Sequence, residues 1–126
     1  MGFEVVEVPG LPKPGQYSHV VRKGNMVFIS GQTAPEEADA GNLDPHDQAR
    51  RIYQYLRAAV TAAGGTMSDI VKLNTYLTDG SQFAAIRALR AEFFEPPYPA
   101  ATSVVVHSLA RRELVIEIEA VAILDP

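Results

Sequence analysis

The strand-forming segments of this chain carry apolar side chains on both faces, yet the chain supplies only enough amphipathic helix to cover one. Taking alternate residues, Val27, Ile29, Val71, Leu73, Leu77, Val104, Val106, Ile116, Ile118, Ala120 and Ala122 make one continuous apolar face. The other face reads Met26, Phe28, Ile70, Tyr76, Val105, Val121 and Ile123, interleaved with Ser30, Asn74, Ser103, His107, Glu117 and Glu119. That second surface is too apolar to stand in water and too polar for a dry core. With 126 residues and no third layer left, the pattern predicts that other copies of the chain cover it, in a homo-oligomer with polar pockets at its interface.

The elements behind this reading follow from local signals. Phe3 to Val8 reads as a strand, followed by a Pro- and Gly-rich loop that delivers Gln16-Tyr17-Ser18. His19 to Arg22 and Met26 to Ser30 flank Lys23-Gly24-Asn25 and read as a hairpin. Asp44 and Pro45 open a helix whose apolar residues recur from Ala49 to Ala63, where Gly64-Gly65 ends it. Asp69 to Thr78 alternates as a strand. A second helix, capped by Asp79 or Ser81, carries Phe83, Ile86, Leu89, Arg90 and Phe93 along one stripe, until Pro96-Pro97 ends it. Ala101 to Ser108 and Glu113 to Leu124 close the chain as strands. The order β-β-β-α-β-α-β-β predicts an α+β fold in one domain over residues 1–126, a mixed sheet with both helices on one face.

Composition narrows the function. The absence of cysteine removes disulfides, thiolate metal sites and cysteine nucleophiles, and favours a cytoplasmic protein. Eleven Lys and Arg against fifteen Asp and Glu give a net charge of −4, spread without blocks, so a nucleic acid is not an expected partner. A membrane is not expected either, because no apolar run approaches the roughly 18 to 20 residues a span needs. Glu4 and Glu7 stand where a signal peptide would be basic and then apolar. Neither Arg50-Arg51 nor Arg111-Arg112 amounts to a binding footprint.

Few residues carry chemistry. Glu117 and Glu119, two apart in a strand, point to the same uncovered face, where a carboxylate could position or deprotonate a water; ordinary solvated glutamates at a strand edge are the competing reading. Ser18-His19 is no nucleophile and base, because strand neighbours face opposite ways. His19, His46 and His107 lie in different elements without ligand spacing, so no metal and no cofactor is expected. Ser30-Gly31-Gln32 sits at a strand end, where glycine lets a backbone N–H approach a ligand, or simply turns the chain.

In order and spacing, Gly15-Gln16-Tyr17-Ser18, Gly24 to Gln32, the helix ending Ala62-Ala63-Gly64-Gly65, Asp69 to Lys72, Phe83 to Phe94, Pro99-Ala100 and Glu117-Ile118-Glu119-Ala120 make a specific set. It resembles the RidA/YjgF family of reactive-intermediate deaminases, also called endoribonuclease L-PSP, over nearly the whole chain. The resemblance implies a chorismate-mutase-like α+β fold, assembled as a homotrimer with the sheets facing inward and a small-molecule cleft at each subunit boundary. It also implies hydrolysis of an imine or enamine to a carbonyl compound and ammonia, without a cofactor. By the same resemblance Glu119 matches the glutamate that positions the water and Tyr17 the cleft tyrosine, while Gly31 and Ser103 match positions whose backbone lines the cleft. Ser30 and Thr102 add hydroxyls beside them.

Two departures bear on the substrate. Ala101 stands where the family carries the arginine that clamps the substrate carboxylate, and a methyl group cannot replace a contact that is typically about 1.5 to 3 kcal/mol per hydrogen bond. Arg87 replaces an asparagine of the second helix and could restore an anionic subsite from another direction; the plainer reading is a solvated helix arginine. There is also one additional residue between Leu109 and the Glu-Ile-Glu segment. The chain thus resembles an arginine-lacking branch. The expected function is an imine- or enamine-hydrolysing enzyme with an altered substrate; the alternatives are a non-catalytic ligand-binding or partner-stabilising trimer, and a ribonuclease, which the acidic composition disfavours.

Overall fold

The computed structural model describes residues 2–125. Six strands, β1 (Glu4–Val5), β2 (Val20–Lys23), β3 (Met26–Gln32), β4 (Ile70–Leu77), β5 (Ala100–Val105) and β6 (Ile116–Ile123), form one sheet in the order β1-β2-β3-β6-β4-β5. Three helices accompany them, α1 (Pro35–Asp39), α2 (Pro45–Ala62) and α3 (Phe83–Phe93). Neighbouring strands are antiparallel except β4 and β5, which run parallel because α3 returns the chain to the starting end of the sheet between them. The mixed sheet with two main helices is the expected α+β arrangement. No helix among the described residues is long and apolar enough to cross a membrane.

Helix α2 buries Ala49, Ile52, Tyr53, Leu56, Ala59 and Val60, the residues of its 3.6-residue period. It stops where Gly64 adopts a φ of 96°, with Gly64 N–H donating to Thr61 O and Gly65 N–H to Val60 O, the paired bonds of a Schellman turn. Helix α3 buries Ile86, Leu89 and Phe93, and Phe93 stacks on Tyr53 with ring centroids 5.3 Å apart. Both helices share one core with Val27, Ile29, Leu73, Leu77, Ile116, Ile118, Ala120 and Ala122.

Several expectations need correction. Strand β1 is two residues long rather than six, and α1, too short to show a helical period, was not anticipated. A bulge in β4 sets both Ile70 and Val71 against one step of β6, with Ile70 opposite Ala122 and Lys72 opposite Val121. Ile70 therefore joins the core and Val71 is exposed, the reverse of the simple alternation. Strand β5 is also inverted. Its pairing puts Ala101, Ser103 and Val105 beside Leu73, Thr75 and Leu77, and Thr102 and Val104 beside Asn74 and Tyr76. Ser103 and Val105 consequently leave the second face, while Thr102 and Val104 join it. Neither side of this edge strand is covered: Val104 is 43% and Val105 58% exposed.

The second face is otherwise as apolar as expected. Met26, Phe28, Val104 and Ile123 stand 40 to 43% exposed there, and no element among the described residues packs over them.

Candidate active site

Strand β6 aims Glu117 and Glu119 at the uncovered face, because its even-numbered residues Ile116, Ile118, Ala120 and Ala122 are held in the core. Across the sheet Glu119 pairs with Asn74, and Asn74 with Thr102; Glu117 pairs with Tyr76, and Tyr76 with Val104. The Tyr76 hydroxyl donates to Glu119 Oε1 at 2.5 Å. That bond, then desolvation and the nearby carboxylates, hold the Tyr76 phenol above its ordinary value. Lys72 Nζ donates to Thr102 Oγ1 at 2.9 Å on the same face.

A second bulge, in β3, sets Ser30 and Gly31 against the single step between Ile118 and Ala120. It makes room for Glu117. A Cβ on Gly31 would lie 2.0 Å from Glu117 Oε2, so a side chain at this position would push the carboxylate aside from where it rests. Burial first, and the charge of Glu119 second, push the Glu117 carboxyl above the usual glutamate range. Two neighbouring carboxylates thus stand in unequal surroundings, Glu117 against the backbone and Glu119 beside a phenol.

The loop before β2 completes this side. Ser30 Oγ donates to Ser18 O at 2.6 Å. Gln32, almost fully buried, donates through Nε2 to Ser30 O and to His19 Nδ1, which leaves His19 Nε2 as the donor to Pro12 O at 2.5 Å. The Tyr17 ring meets the His19 ring edge-on, with centroids 5.5 Å apart. These contacts set Tyr17, Ser30 and Glu119 around one open groove of about 430 Å³, together with Phe3, Ser18 and Phe28. Thr102 shares this face, two strands from Glu119, or about 10 Å at ordinary strand spacing.

Ala101, Ser103 and Arg87 are elsewhere. Ala101 and Ser103 face the helix side of the sheet, and Arg87 projects from α3 into a separate hollow with Arg90 and Tyr98. The eight candidate positions therefore form two groups, Tyr17, Ser30, Gly31, Thr102 and Glu119 on one side and Arg87, Ala101 and Ser103 on the other. Another hollow, about 490 Å³ between the C-terminal ends of α2 and α3, gathers none of them.

Tyr76, His19 and Gln32 are site residues that no motif in the sequence marks, and Glu117 is marked only by its spacing from Glu119. Alternation already placed Tyr76 on the glutamate face; the β4–β6 register that sets it against Glu119 has no local signature. No group of three or more His, Asp or Glu among the described residues could hold a metal ion.

A family model described as Endoribonuclease L-PSP matches residues 11–124. A 2-iminobutanoate/2-iminopropanoate deaminase of Dermatophagoides farinae is 34% identical over 126 residues, covering 96% of each chain. A RutC family protein of Pyrococcus horikoshii is 36% identical over 122 residues, 94% of this chain and 96% of its own. Among solved structures, RidA from an Antarctic Psychrobacter superposes with a TM-score of 0.84 at 32% identity, covering 96% of this chain and 99% of its own. A protein of unknown function from Pseudomonas aeruginosa superposes with a TM-score of 0.90 at 33% identity, covering 98% and 94%.

Proposed function

Because this chain belongs to the endoribonuclease L-PSP family, that of the RidA and YjgF proteins, we propose that it is a cytoplasmic, single-domain enzyme hydrolysing a small imine or enamine. It works as a homotrimer of chorismate-mutase-like subunits, in clefts between them. The observation that carries the reading is Glu119, placed with Tyr17 and Ser30 in a groove on the apolar face that no helix covers. The deaminase name of the mite relative supports the reaction class.

In the proposed reaction Glu119 takes a proton from a water as the water oxygen bonds to the imine carbon. Glu119 hands that proton to the imine nitrogen, giving a neutral carbinolamine, then takes the carbinolamine hydroxyl proton and passes it to the amino nitrogen as the C–N bond breaks, so that ammonia leaves and a carbonyl compound remains. The Tyr76 hydroxyl occupies one oxygen of Glu119 and fixes the other toward the groove. Tyr17, Ser30 and Thr102 offer hydroxyls and Gly31 a backbone donor; Ser103 and Ala101 lie on the helix side and reach a substrate only through a neighbouring copy. The division of the candidates between two sides of the sheet supports an intersubunit site, because one copy cannot bring them together.

The test is ammonia release from freshly generated imines. Glu119→Gln should lower it by about 10² to 10⁴ while leaving the circular dichroism unchanged. The absence of a carboxylate-clamping arginine at Ala101 favours the second reading, a trimer that binds ligands or partners without chemistry. Undetectable turnover across the imine panel, or turnover equal in Glu119→Gln, selects it.

A further inference from the structure

The groove beside Glu119 runs over β2, β3 and β6 and is walled by three aromatic side chains, Phe3, Tyr17 and Phe28. They stand 62%, 55% and 43% exposed, so much of each ring is open to whatever enters. Glu119 is the one charged residue of this lining among the described residues; no Lys, Arg or His joins it. Glu117 lies next on the same face of β6, and neither carboxylate forms an ion pair among the described residues. Lys72, also on this face, donates instead to Thr102 Oγ1. Burial, and then the Glu119 charge, already make the Glu117 carboxyl hard to ionise, so an added anion would meet a face that resists its own second charge. A cation meets the reverse, a carboxylate together with the negative faces of aromatic rings.

We propose that this groove binds a small organic cation, its ammonium group held by the rings of Phe3, Tyr17 and Phe28 within the field of Glu119. The rings and Val21 suit the carbon skeleton of an alkylammonium, whereas a metal ion would find a single carboxylate ligand. Resting on the imine-hydrolase reading, the site names the substrate class: imines that carry a second, protonated amino group and no carboxylate. That ammonium stays intact while water adds at the imine carbon and ammonia leaves.

The test is calorimetric titration of the full chain with butylammonium, butanol and butanoate at one ionic strength, alongside ammonia release. Butylammonium should bind at least about tenfold more tightly than either analogue, and lose about tenfold in Glu119→Gln. Tyr17→Phe keeps the ring and should keep the affinity. Tyr17→Leu and Phe3→Leu, exposed changes that leave the circular dichroism unaltered, should each lower it by about threefold to tenfold. Equal binding of cation and alcohol, tighter binding of butanoate, or unchanged affinity in both leucine variants overturns the site. The imine of an aminoaldehyde should release ammonia at least about tenfold faster than the imine of a plain aldehyde or of a keto acid; preference for the keto acid imine overturns the substrate class. Butylammonium held through the rings without ammonia release keeps the cation site and discards the hydrolase; ammonia release with no preference for cations does the reverse.

Discussion

Glu117 and Glu119 are chemically alike and two residues apart, so whatever distinguishes them comes from their neighbours. Glu117 lies over the Gly31 backbone, and its carboxyl is harder to ionise than in the unfolded chain. Between the ordinary glutamate value and the raised one, the native state holds a proton that the unfolded state has released, so this group's contribution to stability falls as pH rises through that window. Glu117→Gln should therefore gain on the wild type as pH increases from 4 toward neutrality, read as the difference in melting temperature at each pH; a constant difference would remove the argument. Gly31→Ala should swing the flexible Glu117 carboxylate off the backbone at a cost of no more than about 1 kcal/mol in denaturant titration, and should shrink the pH-dependent difference between Glu117→Gln and its parent. The period of two made both glutamates legible in the sequence. The glycine contact was not, because it depends on a bulge in a different strand, and no residue near Ser30 announces which carboxylate will lie above it.

Among the elements, α2 and α3 were legible because each has an apolar stripe bounded by clear stops, Gly64-Gly65 for one and Pro96-Pro97 for the other. Strand β5 was not. Its six residues, Ala-Ala-Thr-Ser-Val-Val, have no alternation to read, and their facing is imposed by pairing with β4. The start of α2 shows how one polar residue joins two elements: fully buried Gln48 donates to Asn42 O and Glu113 O and accepts from Val115 N–H. Replacing it with Leu strands three backbone groups at once. Gln48→Leu should cost at least about 2 to 3 kcal/mol in unfolding free energy, even though it adds apolar surface. Thr75 presents the opposite case, a buried hydroxyl on β4 whose Oγ1 has no partner among the described residues. Thr75→Val should raise stability by about 1 kcal/mol, measured by the same titration.

For the whole molecule, the mismatch between two apolar sheet faces and helix enough for one was present in the sequence, and it carries the proposed trimer. Met26, Phe28 and Ile123 form a contiguous patch around the β3–β6 pair, and an aspartate among them would have to lose its water on assembly. Phe28→Asp should sediment as a folded monomer and lose ammonia release together with assembly; an unchanged trimer would mean that some other surface joins the copies. The division of the candidate groups between the two sides of the sheet has a genetic counterpart. If a cleft takes Glu119 from one copy and a helix-side group such as Arg87 from its neighbour, an inactive Glu119 variant and an impaired Arg87 variant should raise each other's activity when unfolded and refolded as an equal mixture, with about one cleft in four inheriting both intact halves. Alleles of such a gene would complement one another within a single polypeptide species.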